Sequence, residues 1–185
     1  MLLLIAMIHP DIKILLLVLG LFSSGFQTNA DREAKIKAAF LFNFTQFVQW
    51  PEDALSNQQE PLVIGVLGEN PFGDYLKDIV AGEKVNGHPL VINYYRNAPE
   101  INTCHILFIN LHESGELREV FAHLKSKGIL TVGDGDNFIK AGGMVRFFKR
   151  DNKIRMEINA HITKAAGLIV SSKLLQVADV VSNKK

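Results

Sequence analysis

The apolar positions change rhythm along the chain, and each rhythm predicts a different element. After Lys13 comes the uninterrupted run Ile14-Leu15-Leu16-Leu17-Val18-Leu19-Gly20-Leu21-Phe22, then a small and polar stretch ending in Thr28-Asn29-Ala30. A basic flank, an apolar core of ~7–15 residues and a small-residue cleavage site are the order of a secretory signal. The run is shorter than the ~20 residues a spanning helix needs, and His9-Pro10-Asp11 separates it from the earlier apolar residues. From residue 31 to 50 the rhythm becomes helical: Ile36, Phe40, Phe44 and Phe47 share one face, and Pro51 is expected to end the helix.

Continuous apolar runs follow. Residues 62–67, 90–95, 106–109 and 129–132 read as strands. A turn from Gly68 to Gly73 and a short helix bearing Tyr75, Leu76, Ile79 and Val80 follow the first strand. A helix over 114–127 carries Leu117, Val120, Phe121 and Leu124, with Gly128 as its stop. The pattern then alternates. Residues 144–149 and 154–158 form a hairpin about Asp151-Asn152. A last helix is expected over 162–180, presenting Ala166, Ile169, Leu174 and Val177, with Gly167 weakening its first turn.

This order predicts an α/β fold. We expect a single three-layer domain over residues 31–185, preceded by a signal peptide over 1–30. Its mixed sheet should have a mainly parallel core of about four strands, a C-terminal antiparallel hairpin and helices on both faces. About 155 residues remain after the leader, enough for one domain that buries ~70% of its unfolded surface. With 20 Lys and Arg against 19 Asp and Glu, no basic stripe marks a nucleic-acid binder. The single cysteine, Cys104, excludes an intramolecular disulfide, and its place at the head of an apolar run predicts burial.

Catalytic and cofactor patterns are incomplete. Gly65, Gly68 and Gly73 do not have the spacing of a dinucleotide loop. Asp134 and Asp136 alternate as in a calcium loop, yet Phe138 replaces the next ligand and no Glu closes it. His88, His105, His112, His123 and His161 include no pair at i, i+4, and one cysteine cannot build a thiolate site. Cys104 and His105 are adjacent, so on a strand they face opposite ways. Ser171-Ser172-Lys173 lacks serine–lysine hydrolase spacing. In the triplet Asn43-Phe44-Thr45, Phe44 belongs to the apolar stripe, so glycosylation is not expected there. The expectation is a protein without catalytic residues, metal or cofactor.

Several segments carry a resemblance. They are Ala38-Ala39-Phe40-Leu41-Phe42-Asn43-Phe44-Thr45-Gln46-Phe47-Val48-Gln49-Trp50-Pro51, Ile64-Gly65-Val66-Leu67-Gly68 and Cys104-His105-Ile106-Leu107-Phe108-Ile109. Further along stand Gly142-Gly143-Met144-Val145-Arg146-Phe147, Lys153-Ile154-Arg155-Met156-Glu157-Ile158-Asn159 and Ala166-Gly167-Leu168-Ile169-Val170-Ser171-Ser172-Lys173-Leu174-Leu175. In this order they resemble the YfiR family of exported bacterial proteins. The resemblance implies a periplasmic, non-enzymatic regulator that binds and inhibits the periplasmic sensor domain of an inner-membrane signalling enzyme, a diguanylate cyclase or a sensor kinase. It also implies an OmpA-like lipoprotein as a second partner, and a homodimer. Disulfide control within the subunit, which the best-understood members use, is ruled out by the lone Cys104. The alternative is a periplasmic small-molecule-binding module linked to transport. In an open α/β sheet the place for a partner or ligand is the crevice at the carboxyl ends of the strands. Here Glu69, Asn70, Phe72, Asn110, His112, Asp134 and Asn137 would line it.

Overall fold

The computed structural model describes residues 28–181 apart from positions 56, 58 and 126. The expected leader lies outside the described residues except for 28–30, which begin the first helix. That helix, α1 (Asn29–Phe47), starts at a capping box: Thr28 Oγ1 accepts from the Asp31 N–H at 3.1 Å, and Asp31 accepts from the Thr28 N–H at 3.0 Å. It ends earlier than the expected residue 50. Val48 turns extended and pairs with Val170, so β1 (Val48–Gln49) and β9 (Ile169–Val170) form a separate antiparallel ladder.

The main sheet has eight strands in the order β10-β8-β7-β6-β5-β2-β4-β3. Its centre consists of β2 (Leu62–Gly68), β4 (His88–Tyr95), β5 (Ile106–Asn110), β6 (Leu130–Gly133) and β7 (Val145–Arg150), with every neighbouring pair parallel. From β2 the chain steps outward to β4, then crosses back to place β5 on the other side of β2. The strand order therefore reverses between β2 and β5. β8 (Lys153–Asn159) returns antiparallel to β7, and β10 (Asp179–Val181) adds a parallel edge strand beside β8. The expected mixed, mostly parallel sheet with its hairpin is what the chain builds.

Alternate residues of the central strands feed two cores. Ile64, Val66, Phe108 and Val132 face Leu41 and Phe44 of α1 and Leu76 and Val80 of α2 (Tyr75–Val80). Leu67, Leu107 and Ile109 face Leu117, Val120 and Leu124 of α3 (Ser114–Leu124), along with Phe138 of α4 (Phe138–Ala141). Burial on both faces explains why these strands read as continuous apolar runs. The largest side chains converge on α1, where Phe147 of β7 lies 5.7 Å from Phe40 and 6.0 Å from Phe44, ring centre to ring centre.

Two turns with positive φ shape the rest. Asp151 (φ 51°) and Asn152 (φ 55°) close the expected β7–β8 hairpin, the backbone that matches the twist of the flanking strands. Asn86 (φ 52°) and Gly87 (φ 91°) close another, joining β3 (Lys84–Val85) to β4. The apolar rhythm does not predict β3, because it offers only Val85 to a core.

The C-terminal segment corrects the expectation of one helix over 162–180. The chain instead forms α5 (Ala160–Ala165), β9, α6 (Ser172–Gln176) and β10. Gly167 takes φ 77° and ends the first helix, and the Ser171 hydroxyl accepts from the Leu174 N–H at 3.3 Å to begin the next. Each intervening stretch finds a strand partner, Val170 with Val48 and Val180 with Ile158. Pairing with existing strands outweighs the weak helix propensity around Gly167.

Candidate functional site

The reversal between β2 and β5 fixes where a crevice can form: past Gly68 and Asn110, at the carboxyl ends of the two strands. Gly68 holds φ 91°, and a Cβ there would stand 2.8 Å from the Asn110 carbonyl oxygen, so the strand ends meet only because this residue is glycine. Asn110 Nδ2 donates to the Glu69 carbonyl at 2.9 Å, tying the two exits together. Asn70 serves its own loop, accepting from the Phe72 N–H and donating to the Gly73 carbonyl, both at 2.9 Å. Phe72 is buried and packs edge-on to Phe108 at 4.9 Å.

The other expected residues gather at the exit of β6. Asp134 accepts from Lys37 Nζ of α1 at 2.6 Å through Oδ2, while its Oδ1 is buried with no partner among the described residues. Asn137 is exposed just ahead of α4 and makes no side-chain cap bond. His112 is exposed beside Gly135, where an added Cβ would come within 3.5 Å of Nδ1. The expected set therefore falls into two groups on one rim, Glu69 with Asn70, Phe72 and Asn110, and His112 with Asp134 and Asn137. Glu69, His112 and Asn137 point outward, and the rest are engaged within the fold.

Sequence reasoning misses a cleft at the same end of the sheet, on its other face. It has a volume of about 390 Å³ and lies between α3 and the loop that leaves β4. Leu67, Ala98 and Val120 form its floor, and Arg96, Glu116 and Glu119 stand on its walls. None of the seven expected rim residues lines it. A signal for the helix wall exists in the sequence, since Glu116, Glu119, Val120 and His123 recur at i, i+3, i+4 and i+7. Nothing in the sequence brings Arg96 opposite them.

The buried polar groups at the amino end of the sheet are structural. Cys104 is buried as expected, its Sγ donating to the Ile106 carbonyl at 3.1 Å, and burial pushes its thiol pKa up to about 12. His105 faces the opposite way. Its Nδ1 accepts from the Val63 N–H at 3.0 Å, which leaves Nε2 to donate to the Ala54 carbonyl at 3.2 Å. Burial lowers the His105 pKa and keeps the ring neutral. Trp50 Nε1 donates to the His105 carbonyl at 3.2 Å, closing the aromatic end of α1 over the sheet.

Asp134 and Asp136 are both held by cations, Lys37 at 2.6 Å and Arg146 at 2.9 Å. Among the described residues, no three His, Cys, Asp or Glu side chains gather closely enough to hold a metal. No described helix is long and apolar enough to cross a membrane.

Comparison with curated proteins returns no match. The family comparison runs from within α1 to the first residue of β10, taking in the other strands of the sheet and both cores. The chain belongs to the YfiR/HmsC-like family, which it matches over residues 34–179.

Proposed function

We propose that the protein is a non-enzymatic periplasmic regulator that binds the periplasmic sensor domain of an inner-membrane diguanylate cyclase and holds the enzyme inactive. The observation that carries this reading is the family match, which covers nearly all of the folded unit. YfiR-type proteins are periplasmic regulators of diguanylate cyclases, and the family is generally non-catalytic. Such a regulator acts through differential affinity alone. Moving a sensor from 1:99 to 99:1 takes ~5.5 kcal/mol of preference for one of its states.

Two surfaces support a protein partner. The exposed rim residues Glu69, His112 and Asn137 offer polar contacts at the carboxyl end of the sheet. The C-terminal segment offers apolar area: Ile169 is 63% exposed, Val177 61% and Val180 51%. Val180 lies on β10, a strand at the edge of the sheet that among the described residues pairs with β8 alone. An OmpA-like lipoprotein would compete for the same surfaces and release the cyclase, and a homodimer would present two of them.

Capture of inner-membrane proteins on the purified regulator, together with cyclic di-GMP measured after deletion of its gene, tests the reading. We expect a cyclase in the captured fraction and raised cyclic di-GMP in the deletion strain. Val177→Asp with Val180→Asp should abolish capture and reproduce the deletion. The fold should survive, since exposed substitutions typically change stability within ~0.5 kcal/mol. Unchanged cyclic di-GMP with no cyclase captured would sink the assignment. A second reading, a small-molecule module, is favoured by the cleft beside α3.

A further inference from the structure

We infer that the cleft between α3 and the β4 exit loop binds a short peptide with a free ammonium, a free carboxylate and an apolar side chain. The cleft opens beside Leu67 and Leu111, at the carboxyl ends of the two strands between which the sheet order reverses. Open α/β sheets receive ligands at that point. Its volume of about 390 Å³ falls at the small end of the ~300–1,000 Å³ typical of ligand pockets. Leu67 is fully buried, and Val120 and Ala98 are 7% and 8% exposed, so the floor is apolar and fixed.

The two walls carry opposite charge. On the loop side stands Arg96, and on the helix side stand Glu116 and Glu119. None of the three forms an ion pair among the described residues. The walls are therefore held apart: carboxylates and a guanidinium border the same space without closing on one another. The nearby groups are already engaged. Glu100 accepts from the Arg96 N–H at 3.0 Å and from Asn97 Nδ2 at 2.7 Å, and Lys127 Nζ lies 3.2 Å from His123 Nε2.

The charge pattern selects the ligand. Arg96 repels a polyamine, and Glu116 with Glu119 repel a dicarboxylate. A free α-amino acid carries both charges on one carbon and is small for a cleft of about 390 Å³. A short peptide separates its termini by ~3.3–3.6 Å per residue, which would let each terminus meet its own wall with the side chain over Leu111 and Val120. This reading does not rest on the cyclase assignment, because it is measured on the purified protein alone.

The test is calorimetric titration of the purified protein with the dipeptide alanyl-leucine, supported by thermal shift. We expect saturable binding that weakens about tenfold or more when the ammonium is acetylated or the carboxylate amidated, the scale of one lost charge-assisted hydrogen bond. Arg96→Gln should remove the penalty for amidation, and Glu116→Gln with Glu119→Gln the penalty for acetylation. All three side chains are exposed, and an unchanged melting temperature without ligand confirms that each variant is folded. No binding of alanyl-leucine at millimolar concentration would overturn the proposal. So would affinity insensitive to these substitutions, or free leucine binding as tightly as the dipeptide.

Discussion

Single residues at the amino end of the sheet carry two measurable consequences. Cys104 is the chain's single thiol, yet burial raises its pKa to about 12 and the residue is 7% exposed. The thiolate is the reactive species, so the native protein should resist alkylation by iodoacetamide at pH 8 and react fully once unfolded in guanidinium. Rapid labelling of the folded protein would contradict this. His105 gives the pH dependence. Its pKa is lowered by burial, with His88 pushing the same way and Glu60 opposing, so the unfolded chain binds the extra proton first. The stability that the neutral ring contributes is complete above about pH 6.5, the unfolded value, and is lost as pH falls through the folded one. Protonation would also set a donor against the Val63 N–H. His105→Gln should flatten the fall in urea midpoint between pH 7.5 and pH 5, and an identical slope would refute the role. Burial of Cys104 was legible because an apolar run follows it. The Lys37–Asp134 pair was not, because 97 residues separate its members and each resembles an ordinary surface charge.

At the scale of elements, legibility follows the strength of local pattern. The central strands announce themselves as apolar runs because both faces are buried, and α1 does so through its phenylalanine stripe. The C-terminal segment defeats the same reasoning. Ile169, Leu174 and Val177 recur at near-helical spacing, but Ile169 and Val177 are exposed and the segment is divided between strands and short helices. Only its strand partners, more than a hundred residues away for Val170, decide the matter. Where pattern and turn chemistry agree, the hairpin can be tested directly. Asn152 holds φ 55°, which a β-branched residue tolerates poorly, so Asn152→Val should cost about 1–2 kcal/mol in equilibrium unfolding. Asn152→Gly should cost little or nothing. Equal stability of the Val variant would show that the turn relaxes.

For the whole molecule, the rim at the carboxyl end of the sheet joins elements distant in sequence. Lys37 and Asp134 are 18% and 23% exposed, and their contact fastens α1 to the exit of β6. Asp134→Ala leaves a shielded ammonium alone and should cost about 1–3 kcal/mol. Asp136→Ala should cost less than about 0.5 kcal/mol, since Asp136 is 99% exposed and Arg146 retains Glu157. Comparing the two by chemical denaturation checks the assignment, and equal costs would dismiss the Lys37 link. The sheet end at which to look for a crevice follows from the α/β class that the alternation of helices and strands made legible. The face on which a cleft opens does not, because it depends on how α3 sits against the loop bearing Arg96.

The stacking of Phe40 and Phe44 on Phe147 has a consequence in time. A chain emerges from the ribosome, and from any export channel, amino end first. The apolar stripe of α1 is therefore among the first parts of the domain to appear, and the ring that covers it follows about a hundred residues later. At ~5–20 residues per second of synthesis, that leaves several seconds with the phenylalanines in water. During this interval the stripe is open to holding chaperones and to other copies of itself, and release of β7 ends the exposure.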